Sequence, residues 1–341
     1  MTSSTESRVA SAPPAAGGAP RGRVPDFFIV GHPKCGTTAL YLMLRGHPGV
    51  FMSEVKEPQF FATDQRSRLS RRGEQPSARR PRTLDGYTAL FAAAGAEQLV
   101  GEASPQYLRS RAAPSAIAAL RPDARIIAIL REPASFLRSF HLQMVSSRVE
   151  TETDFKTAIA LEDDRRAGRR IPRGCHHPDA LLYSDHVRYV EQLRRYHDLF
   201  PAEQVLVLVY EDYRRDNEAT VRRVRRFLGV DDTHPIETVD TKPLNAVRSR
   251  PLHQLLGMGR RARNNPAAAS RVEHVVNALT PSLLRNDVFR RRWHKLVYAR
   301  PEPPDEAFMR ELRARFKPEV QALGDYLGRD LMSTWGYDEL D

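Results

Sequence analysis

The chain reads as an α/β protein, a central parallel sheet flanked by helices in three layers. Three observations predict this. Short apolar runs alternate with stretches of helical period across residues 26–250. The run Arg125-Ile126-Ile127-Ala128-Ile129-Leu130 has no polar break after its first residue, the pattern of a strand buried on both faces. The apolar run Phe27-Phe28-Ile29-Val30 stops at a Gly/Pro-punctuated turn that opens a helix, and strand, Gly-bearing loop and helix in that order cradle phosphate.

The elements follow in order. Residues 1–25 are rich in Ser, Ala, Pro and Gly and lack the apolar core of a secretory signal, so they read as a disordered tail. Phe27–Val30 is the first strand, and Ala39–Leu44 carries the helix behind the loop. Val50–Met52 is a short second strand. Residues 64–82 hold Arg66, Arg68, Arg71, Arg72, Arg79, Arg80 and Arg82 with almost no apolar anchor, which predicts a solvated loop. Leu99–Glu102 is a third strand. Arg125–Leu130 is a fourth, expected to be central, and a helix follows Arg131-Glu132-Pro133. Tyr183–Phe200 reads as one long amphipathic helix, Val205–Val209 as a fifth strand and Asn217–Leu228 as a helix with its arginines outside. From about residue 250 the pattern changes. Residues 257–301 are Arg/Asn/Ala-rich with weak periodicity, and Glu306–Leu327 reads as a terminal helix. With no internal repeat, residues 26–341 read as a single domain whose C-terminal part is helical.

Composition narrows the partners. The 341 residues hold 53 Lys+Arg against 42 Asp+Glu, a net charge of +11, which favours an anionic ligand. Two cysteines, Cys35 and Cys175, are too few for a disulfide framework. Cys175-His176-His177 lacks a second ligand pair at metal spacing, so no metal is expected. No run approaches the ~20 apolar residues of a membrane span. A cytoplasmic protein is the resulting expectation.

The loop Gly31-His32-Pro33-Lys34-Cys35-Gly36-Thr37-Thr38 is P-loop-like but departs from the triphosphatase pattern. Gly31 and Gly36 have the G-x-x-x-x-G spacing, yet Thr37 replaces the lysine expected next, and the lysine lies inside the loop at Lys34. No lysine then stands at the helix start to reach a γ-phosphate. Such a loop suits a ligand whose reactive group hangs from a 5′-phosphate.

Taken together, several segments resemble one family. Pro33-Lys34-Cys35-Gly36-Thr37-Thr38 resembles the 5′-phosphosulfate loop of sulfotransferases that use 3′-phosphoadenosine 5′-phosphosulfate (PAPS). Leu130-Arg131-Glu132-Pro133 with Ser139 resembles their 3′-phosphate motif. Lys56-Glu57-Pro58-Gln59-Phe60-Phe61 and Gly101-Glu102-Ala103-Ser104-Pro105-Gln106-Tyr107-Leu108 resemble stretches of the heparan-sulfate-type branch, in a bacterial-like member. The similarity extends to the Tyr183–Asp212 unit and to Leu327-Gly328-Arg329-Asp330-Leu331.

The resemblance implies transfer of a sulfuryl group from PAPS to a hydroxyl or amine. In it, Lys34, Cys35, Gly36, Thr37 and Thr38 hold the phosphosulfate, and Arg131 and Ser139 grip the 3′-phosphate. Lys34 also stabilises the leaving oxygen, and Glu57 is the catalytic base. Other branches use a histidine, which leaves His32, His47 and His141 open as bases, with Glu102 as a second carboxylate. Independently of the resemblance, a nucleotide with two separate anionic groups needs two cationic grips at neighbouring strand ends. Lys34 and Arg131 meet that requirement, Arg131 by a forked pair of charge-assisted bonds. Lys242-Pro243-Leu244-Asn245 and Arg248-Ser249-Arg250 lie where the family closes over the adenine.

Two other readings carry contrary expectations. A small-molecule kinase predicts a metal-binding aspartate at a strand end, where this chain has Arg131 and Glu102. A nucleic-acid-binding protein predicts arginines interleaved with aromatics. The acceptor is not identified by these motifs. Residues 66–82 and 148–182 are expected to border its cleft.

Overall fold

A computed structural model of the chain describes residues 22–65, 80–173, 175, 177–237, 239, 246–247, 298–299 and 301–340. Its core is a five-stranded, all-parallel sheet of β1 (Phe27–Gly31), β2 (Val50–Met52), β3 (Leu99–Ala103), β4 (Arg125–Leu130) and β5 (Val205–Val209), ordered β2-β3-β1-β4-β5. Helices cover both faces, as a parallel sheet requires. The middle strand is β1, whose five residues are all buried; β4 is interior but one place off centre. β5 reads as apolar as an interior strand yet lies at the edge, where Val207 is half-buried.

The order reverses at β1. β3 lies on one side of it and β4 on the other, so the loop after β1 opens at the topological switch point, the place where such sheets bind ligands. The helix Thr37–Arg45 leaves this loop, and the helix Pro133–Ser146 leaves the end of β4.

The expected long helix over Tyr183–Phe200 is in fact two, Tyr183–His186 and Tyr189–His197. The break frees Asp185 and His186 carbonyls, which both accept from Gln192 Nε2 at 3.0 and 3.1 Å. The helix Glu306–Leu327 packs on the helices Pro133–Ser146 and Tyr189–His197 and ends at Gly328 in the left-handed region, φ 60°. Among the described residues no helix is long and apolar enough to cross a membrane. The proposed adenine-closing residues 242–245 and 248–250, and residues 66–79 of the arginine-rich loop, lie outside the described residues.

Candidate active site

The loop after β1 is shaped by two left-handed residues, Lys34 at φ 65° and Gly36 at φ 82°. A Cβ at Gly36 would lie 2.7 Å from the Tyr213 ring, so glycine is required there on both counts. Gly36 is the N-cap of the helix Thr37–Arg45 and offers no side-chain cap. The first-turn N–H groups therefore face the loop mouth without an intrahelical acceptor. Cys35 is turned inward: its side chain is fully buried, and its N–H bonds the His32 carbonyl at 3.3 Å. Burial pushes its thiol well above the usual range. Thr37 is buried and Thr38 exposed.

Arg131, at the end of β4, reaches across to this loop. Its Nη1 donates to the Lys34 carbonyl at 3.2 Å, and its guanidinium lies 4.7 Å from the centre of the Tyr210 ring. Tyr189 donates to the Arg131 carbonyl at 2.9 Å. Arg131 Nε is buried and has no hydrogen-bond partner among the described residues. Burial, then the nearby Arg131 charge, holds the Lys34 ammonium below its usual range. Ser139 is half-buried two turns into the following helix, on the side that also carries Ser135 and Arg138.

Behind Arg131 lies a carboxylate pair that sequence reasoning missed. Glu132 caps the helix Pro133–Ser146, accepting from the N–H groups of Ala134 and Ser135 at 2.9 and 2.7 Å. It also accepts from the Tyr337 hydroxyl at 2.6 Å, while Glu211 accepts from Trp335 Nε1 at 2.8 Å. Burial raises the Glu211 carboxyl, against the pull of Trp335, of backbone N–H groups and of Arg131. Nothing in the local sequence marks either pairing, because the partners are 205 and 124 residues apart.

Glu57 lies beside the end of β3, where its N–H bonds the Ala103 carbonyl at 3.1 Å. Both Glu57 and Gln59 are left-handed, φ 60° and 54°. The Glu57 carboxylate meets Lys56 Nζ at 2.6 Å and accepts from Gln106 Nε2 at 3.3 Å, with the side chain about one-third exposed (36%). Lys56 and Glu57 thus pair, and Gln106 connects the pair to the adjoining cleft.

That cleft, about 770 Å³, opens beside His32 and Pro33 of the loop. Gln106, Gln143, Phe140 and Met144 line it, as do Val149 and residues 177–180 of the expected 148–182 border. His32 is 1% exposed; its Nε2 lies 2.8 Å from Gln192 Oε1, and its ring is 4.9 Å from that of Phe136.

The remaining candidates lie elsewhere. His47 follows the far end of the helix Thr37–Arg45, with Nε2 2.9 Å from the Asp231 carbonyl and Nδ1 accepting from Gly49. His141 is buried, with Nε2 2.8 Å from the Glu152 carbonyl. Glu102 is sealed beneath Tyr87 and Tyr107, whose hydroxyls donate to Oε2 at 2.5 and 3.2 Å. Burial pushes its carboxyl up to about 7. None of these three lines the cleft. Among the described residues no cluster of His, Cys, Asp and Glu could hold a metal.

This arrangement can be set beside known proteins. At 30% identity over 251 residues, 61% of this chain and 44% of the relative, it is similar to carbohydrate sulfotransferase 15 of Mus musculus. At 29% identity over 208 residues, 61% of this chain and 47% of the relative, it is similar to heparan sulfate glucosamine 3-O-sulfotransferase 3B1 of Homo sapiens. The chain thus matches less than half the length of these curated relatives. The crystal structure of a sulfotransferase from Alicyclobacillus acidocaldarius superposes with a TM-score of 0.62 at 26% identity, covering 92% of this chain and 99% of that one. The profile of the sulfotransferase family matches residues 25–234, more than half of the sequence. Fold, loop and profile agree: the chain belongs to the sulfotransferase family.

Proposed function

We propose that this chain moves the sulfuryl group of PAPS to a hydroxyl or amine of an acceptor bound in the cleft beside His32. The observation that carries the reading is the junction of the two strand ends. Arg131 spans from β4 to the Lys34 carbonyl, so two cations and the open helix N-terminus converge at the switch point. The buried, unpartnered Arg131 Nε supplies a donor suited to an anion. PAPS carries one anionic group for each grip, and the residues present fit it.

The S–O bond to the 5′-phosphate breaks as the acceptor–sulfur bond forms, in line and through a loose transition state. Lys34 and the N–H groups at the helix start stabilise the charge that grows on the leaving oxygen. Arg131, with Ser139, holds the 3′-phosphate. Glu57 takes the acceptor proton, from a position fixed by Lys56 and tied to the cleft by Gln106. The similar carbohydrate sulfotransferases favour a glycan or glycoside acceptor.

Calorimetry tests the donor half. The product nucleotide 3′-phosphoadenosine 5′-phosphate (PAP) is expected to bind more tightly than adenosine 5′-phosphate. Charged hydrogen bonds to the 3′-phosphate are worth about 1.5–3 kcal/mol. Equal affinities would remove Arg131 and Ser139 from the site. Transfer from labelled PAPS to a panel of acceptors, read by mass shift, tests the reaction itself.

A further inference from the structure

Two residues that line the cleft beside the loop, His32 and Gln106, each hold a buried polar atom with no hydrogen-bond partner among the described residues, and both atoms accept. His32 is 1% exposed and lines the cleft, and its Nδ1 has no hydrogen-bond partner among the described residues. The tautomer of this ring is fixed from behind. Gln192 Nε2 donates to the carbonyls of Asp185 and His186, so the amide's oxygen must face His32. An oxygen at 2.8 Å from Nε2 requires the proton on Nε2. Nδ1 is left as a bare lone pair.

A lone pair demands a donor, which excludes a carboxylate or sulfate oxygen at this spot. A cation is disfavoured as well. Arg109 lines the same cleft and is close enough to lower the basicity of His32. Burial is the larger cause, and together they bring the ring down to about 4 against the opposing pull of Gln192 and the His186 carbonyl. What remains is a neutral donor, an O–H or an amide N–H. The charged residues that line the cleft balance, Asp64 and Asp179 against Arg80 and Arg109, and the rest suits an uncharged polyol: the amides of Gln59, Gln106 and Gln143 offer both donors and acceptors, and Phe140 and Met144 form an apolar wall.

We propose that His32 Nδ1 accepts a hydrogen bond from a hydroxyl of an uncharged polyol, a neutral glycoside with an apolar face, and so orients the acceptor for sulfuryl transfer. The inference rests on the sulfotransferase reading and narrows it. The ring holds this hydrogen without taking it, since burial and the nearby Arg109 charge both disfavour an imidazolium there. The hydroxyl at His32 therefore stays a hydroxyl, and the acceptor carries a second one, which loses its proton to the base as the oxygen–sulfur bond forms.

The test uses the full chain with PAP bound, labelled with ¹⁵N-histidine, and octyl β-D-glucopyranoside as the neutral probe. The His32 Nδ1 resonance is expected in the unprotonated range, and it is expected to move on titration with the glycoside but not with an oligosaccharide of heparosan, which is anionic. A protonated Nδ1, or a resonance that the glycoside leaves in place, overturns the proposal. Two variants then separate orientation from structure. His32→Gln keeps an amide where Nε2 meets Gln192 but removes the acceptor at Nδ1, and it is expected to raise the glycoside KM about tenfold with little change in kcat. His32→Asn places an oxygen where Nδ1 stood, and it is expected to keep the KM within a few fold. Equal losses in both variants, or transfer to heparosan and none to the glycoside, would overturn the assignment. Calorimetry with PAP reads the donor half separately: a wild-type chain that does not bind PAP overturns the underlying reading too.

Discussion

At the scale of single residues, the proposed reaction assigns Lys34 and Glu57 opposite halves of the chemistry, and their substitutions would separate the halves. Lys34 gains most when charge appears on the leaving oxygen, so Lys34→Ala is expected to lower kcat far more than PAP affinity. A loss confined to PAPS binding would contradict that role. Glu57→Gln keeps the shape and one acceptor oxygen but cannot take a proton. It is expected to lower transfer by about 10²–10⁴-fold while calorimetric PAP affinity stays within a few fold. Were the carboxylate only a partner of Lys56, the change would cost ~1 kcal/mol or less and leave turnover intact. Lys34, Arg131 and Glu57 could be proposed from the sequence because each sits in a short motif. His32 could be named as a candidate, but its tautomer depends on Gln192, 160 residues away. No local pattern encodes that contact.

At the scale of elements, the loop conformation is the sensitive point. Gly36→Ala puts a methyl group at φ 82° against the Tyr213 ring. We expect it to destabilise the chain by about 1–3 kcal/mol in urea unfolding and to weaken PAP binding in parallel. Unchanged unfolding and affinity would mean that the turn tolerates a side chain. The five strands were readable from their apolar runs, because burial on both faces favours apolar residues, with buried Glu102 of β3 the exception. Their order was not. The expectation of a central β4 failed by one place because the interior strands β1 and β4 are equally apolar, and the short edge strand β5 is apolar too. The break after His186 escaped notice for a related reason. Tyr183, Tyr189 and Tyr196 all point inward, so the apolar stripe passes through the interruption.

At the scale of the whole molecule, Glu102 links stability to pH. Its carboxyl rises from an ordinary value near 4.5 to about 7 in the folded chain. Below about 4.5 both states are protonated and there is no penalty. Between about 4.5 and 7 the unfolded chain releases the proton and the folded chain keeps it, so stability falls as pH rises. His32, held down to about 4, acts in the opposite sense over nearly the same range. Comparing wild type with Glu102→Gln cancels the histidine. The stability of wild type relative to the variant is expected to decline from pH 4.5 to 7 and then level off. A flat difference in urea midpoints across that range would show that Tyr87 and Tyr107 fully compensate the buried charge. The fold class was legible at this scale, because the order of motifs fixes which loops share one edge of the sheet. The seal over Glu102 was not, since Tyr87 belongs to a segment without a motif.

The bonds from Trp335 and Tyr337 to Glu211 and Glu132 set a timetable for synthesis. A ribosome completes all five strands, the Lys34 loop and Arg131 well before it reaches these two aromatic residues. Until they arrive, Glu211 lacks its indole donor and Glu132 keeps only the helix N–H groups of Ala134 and Ser135, so both carboxylates stand short of a donor beside Arg131. A nascent chain halted before Trp335 is thus expected to hold a finished sheet in which these carboxylates compete with a ligand for Arg131.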